Sequence, residues 1–87
     1  MEIHPAARKH RIAVADLEHA VGHNLYAGDI DVDDAGPLRV LYLGPDRAGN
    51  LLEVIVIERD DASELAIHAM KMKPKYRKLL RSHSADE

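Results

Sequence analysis

Residues 51–59 read LLEVIVIER, in which Leu, Val and Ile fill odd and even positions alike over 51–57 and Glu53 is the one acid among them. A strand that is apolar on both faces is covered on both faces, so this stretch predicts the central strand of a sheet. On its N-terminal side, GPDRAGN (44–50) is a turn by composition. Before the turn, PLRVLYLG (37–44) alternates, with Leu38, Val40 and Tyr42 on one face and Arg39, Leu41 and Leu43 on the other. On the C-terminal side, RDDAS (59–63) is the next turn and ELAIHAMKM (64–72) the next strand. Strict alternation there would turn Leu65, Ile67 and Ala69 one way and Ala66, His68 and Met70 the other. LYAGDIDV (25–32) alternates weakly and predicts an edge strand. Short connections between successive strands imply antiparallel hairpins.

Helical signals flank this core. HPAARKH (4–10) predicts a short helix, with Pro5 in a first turn where its missing N–H is no loss. VADLEHAVGH (14–23) predicts a second, with Val14, Leu17, Ala20 and Val21 on one face and Asp16 and Glu18 near its positive end. PKYRKLLR (74–81) predicts a short C-terminal helix opened by Pro74. Its Tyr76, Leu79 and Leu80 have the spacing to dock on the sheet, and Lys75, Arg77, Lys78 and Arg81 project outward. The expected architecture is α+β: two N-terminal helices, an antiparallel sheet of three to four strands and a short C-terminal helix, in one domain over 1–82 with a frayed tail over 83–87.

Composition narrows the functional classes. The chain has 87 residues, enough for one small domain. No Trp or Phe and only three Tyr are present, so the core is aliphatic. Zero cysteines exclude a disulfide scaffold and any thiolate metal site. MEIHPAARKH has no apolar signal region and no apolar run approaches a membrane span, so the expectation is a cytoplasmic protein with no membrane partner.

Charge is unevenly placed. The chain has 15 Asp and Glu against 12 Lys and Arg, yet residues 71–81 hold six bases (Lys71, Lys73, Lys75, Arg77, Lys78 and Arg81) and no acid. Residues 26–36 hold four acids and no base. A local field governs polyanion binding more than net charge does, although a charge run is also an ordinary solvated face.

Several constellations carry chemistry. His68, followed by Lys71 and Lys73, has the residue types for handling a phosphodiester. RNA cleavage through the 2′-hydroxyl needs a base, an acid for the 5′ leaving oxygen and cations for the charge on phosphorus. The structural alternative is a half-buried sheet histidine with a backbone partner. Arg8, Lys9, His10 and Arg11 close the first predicted helix, where basic residues favour the dipole and could also form one side of a phosphate groove. His19 and His23, at i and i+4, have metal-binding spacing, but they lie opposite the Leu17/Val21 face and are expected to be exposed, with no third ligand in the pattern. The carboxylates at 29, 31 and 33 resemble a calcium loop but lack its sixth-position Gly and twelfth-position Glu. Glu53 is expected to pair with Arg39 on a neighbouring strand, with orientation of an active-site base as the alternative.

The order of these motifs is similar to one known family. RKHRIAVADLEHAV, RVLYLGPDRAGNLLEVIVIER and LAIHAMKMKPKYRKLL together resemble the BrnT-type toxins of the RelE/ParE-like group of bacterial type II toxins. Lys9 and His10 match that family's Lys-His pair, Arg39 and Gly44 its Arg…Gly strand, and Gly49, Leu51 or Leu52 and Val54 the strand after it. Ile67, Ala69 and the basic run match its end. The chain departs from the pattern at the first strand with its Trp-Asp motif, which is absent. It departs also at Arg11 for a helix-ending Gly, Ala13 for a capping Ser and Met70 for an Arg. The resemblance implies a RelE-like fold and a metal-independent, cofactor-free endoribonuclease that inhibits translation. It implies a cognate antitoxin and mRNA, on or off the ribosome, as partners, with a monomer or weak dimer when free. On that reading His68 transfers protons, Arg39 and Lys71 hold phosphate and Tyr76 stacks or positions a base. Lys73, Lys75, Arg77, Lys78, Lys9 and His10 bind RNA. The alternative is a non-catalytic nucleic-acid- or protein-binding module of the same fold.

Overall fold

A computed structural model describes residues 1–30 and 37–85. Five strands form one mixed sheet: β1 (Glu2–Ile3), β2 (Tyr26–Asp29), β3 (Arg39–Pro45), β4 (Leu51–Glu58) and β5 (Glu64–Lys71), in the order β1-β5-β4-β3-β2. β1 runs parallel to β5 and every other pair is antiparallel. Two helices, α1 (Val14–Gly22) and α2 (Arg77–Ala85), complete an α+β chain, with 3-10 turns at Pro5–Arg8 and Pro74–Tyr76.

β4 holds the middle of the sheet, as its two-sided apolar content requires. Leu52, Val54 and Val56 point to one side and pack with Leu17 and Ala20 of α1 and with Ala66 and Ala69 of β5. Leu17 and Ala20 are three apart, so they share the helix face that meets the sheet. Gly44 sets the closeness of that seat: a Cβ there would collide with the backbone carbonyl of Ala20. Removing the side chain lets the α1 backbone rest directly on β3.

The other side of the sheet buries Leu41, Leu43 and Glu53. After β5 the chain crosses this side at Lys73, whose backbone N–H meets Glu53, and α2 then reaches β2. Tyr76, Leu79 and Leu80 are half-buried and Lys75, Arg77, Lys78 and Arg81 exposed, as their helical spacing predicts.

The structure corrects the expected arrangement in four respects. HPAARKH does not make a first N-terminal helix. His4 accepts the Ala6 N–H through Nδ1 and Pro5 starts a single four-residue 3-10 turn, too short a run to nucleate an α-helix. A strand precedes it: Glu2 and Ile3 pair with Leu65 and Ala66, so the first strand is present. The sheet therefore has five strands and is mixed, not three or four in an antiparallel array. At the C-terminus a separate 3-10 turn at Pro74 leads into α2, in place of one short helix.

Alternation in β5 also breaks. Ile55 pairs with His68 but the next residue, Val56, pairs with Ala66, leaving Ile67 as an extra residue in a bulge. Ala66 and Ala69 therefore both face α1, while Leu65, His68 and Met70 share the other side.

Candidate functional site

The site begins with a buried charge. Glu53 lies in the middle of the central strand and is 1% exposed. An ionised carboxylate is costly there unless each oxygen finds a partner. One oxygen, Oε2, is 2.8 Å from Nε2 of His68. The other, Oε1, accepts the backbone N–H of Lys73 at 2.8 Å. The Lys73 ammonium stands 3.6 Å from Oε2. Among the described residues no buried side-chain polar atom lacks a partner.

This corrects the expected Glu53–Arg39 pair. Register sets Arg39 opposite Ile57, whereas Glu53 lies between Leu43 and Met70. His68 is its diagonal neighbour across β4 and β5, within reach of long side chains. An ionised carboxylate only accepts, so Nε2 of His68 carries the proton and Nδ1 is the nitrogen left to exchange one. The His68 side chain is 26% exposed, so solvent or a ligand reaches it.

A second imidazole stands beside the first. The rings of His10 and His68 meet edge to face, with centroids 5.9 Å apart and planes at 77°. The turn after Pro5–Arg8 brings His10 there, and Arg11 closes it at φ 62°, in the left-handed region. That is the position where the resemblance expects glycine, the residue that adopts this conformation without strain.

The structure thus brings His68, His10 and Lys73 together around Glu53 and separates them from other expected residues. Arg39 is aligned with Ile57 and hence with Leu65, two strands from β5 and away from His68. Lys71 pairs with Leu52, out of phase with His68. It lines an open groove of about 600 Å³ with Arg77 and Arg81, over Leu51, Met72 and Leu80. Neither Glu53, His68 nor His10 lines this groove. Lys75 lies over the Tyr76 ring, 5.1 Å from its centroid, which ties that tyrosine to a cation within its own turn. Lys9 and Lys78 are exposed.

Sequence reasoning gave Glu53 the orientation of an active-site base only as the alternative to Arg39 and did not name His68 as its partner. Closing the RDDAS hairpin with plain alternation would set residue 53 opposite residue 69 and turn His68 to the other face, so this contact needed the extra residue of the bulge. Exposure of both His19 and His23 is also corrected. His23 is exposed, but His19 is half-buried and bonded to the Pro45 carbonyl. Of the acidic run, Asp29 ends β2, and residues 31–34 lie outside the described residues. Among the described residues no three His, Cys, Asp or Glu side chains are grouped to hold a metal ion, and no helix is long and apolar enough to cross a membrane. No protein-family model, no curated protein and no solved structure matches the chain.

Proposed function

We propose that this chain is the toxin of a bacterial type II toxin–antitoxin pair, of the BrnT-like class and RelE-like fold, that cleaves RNA without a metal in the cytoplasm and so inhibits translation. The observation that carries the chemistry is the buried Glu53 carboxylate bonded to His68, with His10 against it. Nδ1 of His68 takes the proton from a ribose 2′-hydroxyl, and Glu53 stabilises the imidazolium that forms. The 2′-oxygen attacks phosphorus, a 2′,3′-cyclic phosphate forms, and His10 delivers a proton to the departing 5′-oxygen. Lys73 supplies positive charge beside the pair, where negative charge builds on phosphorus. The cations of the groove and of α2 hold the flanking phosphates. A cognate antitoxin would cover these cations in the inactive complex.

Met70 supports a second reading. It stands opposite Glu53, on the side of the sheet that holds His68, at the position where the resemblance expects an Arg. A chain lacking that cation could bind nucleic acid, or an acidic segment of a partner protein, without cutting. Induced expression in a bacterial host, followed by RNA cleavage assays on purified protein, separates the readings. Growth arrest and cleavage that His68→Ala abolishes, at equal soluble protein, support the nuclease. Binding that weakens steeply with salt, without cleavage by the wild type, supports the binding module. No RNA binding at any salt leaves an acidic protein partner.

A further inference from the structure

The cationic groove at the end of β5 also has an apolar floor. The β4–β5 ladder runs one step beyond Lys71, where the Met72 N–H donates to the Leu51 carbonyl at 3.0 Å. Leu51 and Met72 therefore follow Glu53 and Met70 on the same side of the sheet, two residues or about 7 Å further along. α2 faces them with Arg77, Leu80 and Arg81, which at i, i+3 and i+4 share one side of the helix. With Lys71 and Asn50 these side chains border about 600 Å³ of open space. No carboxylate lines it, in a chain whose acids outnumber its bases. Leu51, Met72 and Leu80 are each half-buried, so aliphatic surface faces water between the cations. Binding phosphate alone makes no use of that surface, and covering it is favourable.

We propose that this groove seats one unpaired nucleotide of RNA beside the Glu53–His68 site, its base on Leu51, Met72 and Leu80 and its phosphate on Arg77 and Arg81. Taking RNA as the ligand rests on the function proposed above. A nucleotide joins a flat base, whose face is apolar and whose edge is polar, to an anion, and the groove repeats that division. Guanidinium forks hold phosphate oxygens in pairs, and their planes also lie against bases. Asn50 brings to the rim an amide that can donate to and accept from a base edge. An acidic peptide would meet the same cations. The groove, however, continues from the reacting pair along one side of the sheet, where the neighbouring nucleotide of a bound strand lies. A paired base is stacked inside its helix and does not reach the floor, so the strand bound here is single.

The test is fluorescence anisotropy with a short 2′-O-methyl oligonucleotide, which has no 2′-hydroxyl to attack and stays uncut. Its comparison is the same backbone without bases. The wild type is expected to bind the oligonucleotide about tenfold tighter than the abasic backbone at about 50 mM salt. Arg77→Ala and Arg81→Ala, at exposed positions, should each weaken binding about threefold or more and lower the salt slope by about one. Met72→Ser should erase the preference for bases and keep the affinity for the abasic backbone. The abasic comparison uses the wild type, so it decides the matter even where Met72→Ser fails to fold. Arg59→Ala, at the other end of the sheet, should bind as the wild type does. Equal affinity for the oligonucleotide and its abasic backbone would overturn the proposal, as would binding of a Leu/Glu peptide with none of the oligonucleotide. Base-dependent binding with unmodified RNA left uncut would support the groove and sink the nuclease reading alone. Cleavage without base-dependent binding would sink the groove alone.

Discussion

The two sides of the sheet solve different problems. The side under α1 is apolar throughout its buried part, with Leu17, Ala20, Leu52, Val54, Val56, Ala66 and Ala69 in one cluster. The opposite side buries Leu41 and Leu43 but sets Glu53 between Leu43 and Met70. A buried ion pair is a poor way to gain stability, because desolvation offsets most of the attraction. Apolar residues would fill the Glu53 position at least as well. The α1 side therefore holds the chain folded, and the far side carries the charge on which the proposed chemistry rests.

Glu53→Gln attacks that division most directly. The amide oxygen keeps the Lys73 N–H bond, and the shape is nearly unchanged. The amide NH₂ would donate to Nε2 of His68 and so move the ring's proton to Nδ1, which removes the base. RNA cleavage is expected to fall by about 10²–10³ or more, while stability shifts by less than about 1 kcal/mol. The readouts are single-turnover cleavage and urea unfolding. Large loss of stability with full cleavage would reverse the roles of the two sides.

Gly44→Ala is the matching perturbation of the α1 side. The added methyl meets the Ala20 backbone carbonyl, which cannot swing aside as a flexible side chain would. The helix must lift from β3, at an expected cost of about 3 kcal/mol, near the top of the range for overpacking. A urea midpoint shift with an unchanged m-value would measure it. A neutral effect would mean that α1 is not seated as tightly as its geometry requires.

The two sides were also unequally legible in the sequence. The centrality of β4, the alternation in β3 and the buried face of α1 followed from hydrophobic period, because a partly covered surface imposes that period on the chain. β1 escaped because two residues carry no period at all, and its pairing with β5 depends on the distant residues Leu65 and Ala66. The bulge escaped because Ala66, Ile67 and Ala69 are all apolar, so an inserted residue leaves the pattern intact. His68 drew notice from its residue type and the cations after it. Its carboxylate partner needed the register, and its second imidazole needed the left-handed turn at Arg11.

That turn gives a smaller test. Arg11 has φ 62° and Ala62, in the β4–β5 turn, has φ 69°. A side chain in this region costs about 1–2 kcal/mol, and glycine relieves it at roughly 0.4–1 kcal/mol of added unfolded-state entropy. Arg11→Gly and Ala62→Gly should each stabilise the chain by about 0.5–1 kcal/mol. Both variants should keep cleavage, since glycine adopts the same backbone and leaves His10 against His68. Loss of cleavage in Arg11→Gly alone would mean that the Arg11 side chain, and not the turn it closes, serves the site.

The smallest effect concerns the rim of the α1 side. Asp16, in the first turn of α1, accepts from Arg47 twice, from the backbone N–H at 3.0 Å and from Nε at 2.8 Å, and so ties the helix to the β3–β4 turn. These hydrogen bonds, the side-chain one foremost, hold its carboxyl below the usual aspartate value of 3.8. A carboxyl lowered in the folded state contributes stability that is present above its unfolded value and lost as pH falls through the folded one. The tie therefore holds at neutral pH and fades below about pH 4, a modest change because both side chains are solvated. Asp16→Asn should lower Tm slightly at pH 7 and by less near pH 2, as the wild-type carboxyl takes up its own proton. Such a tie trims the seat of α1 without deciding it, which returns the stability of that side to Gly44 and the apolar cluster beneath the helix. An equal loss at both pH values would assign the role of Asp16 to helix capping or packing and not to its charge.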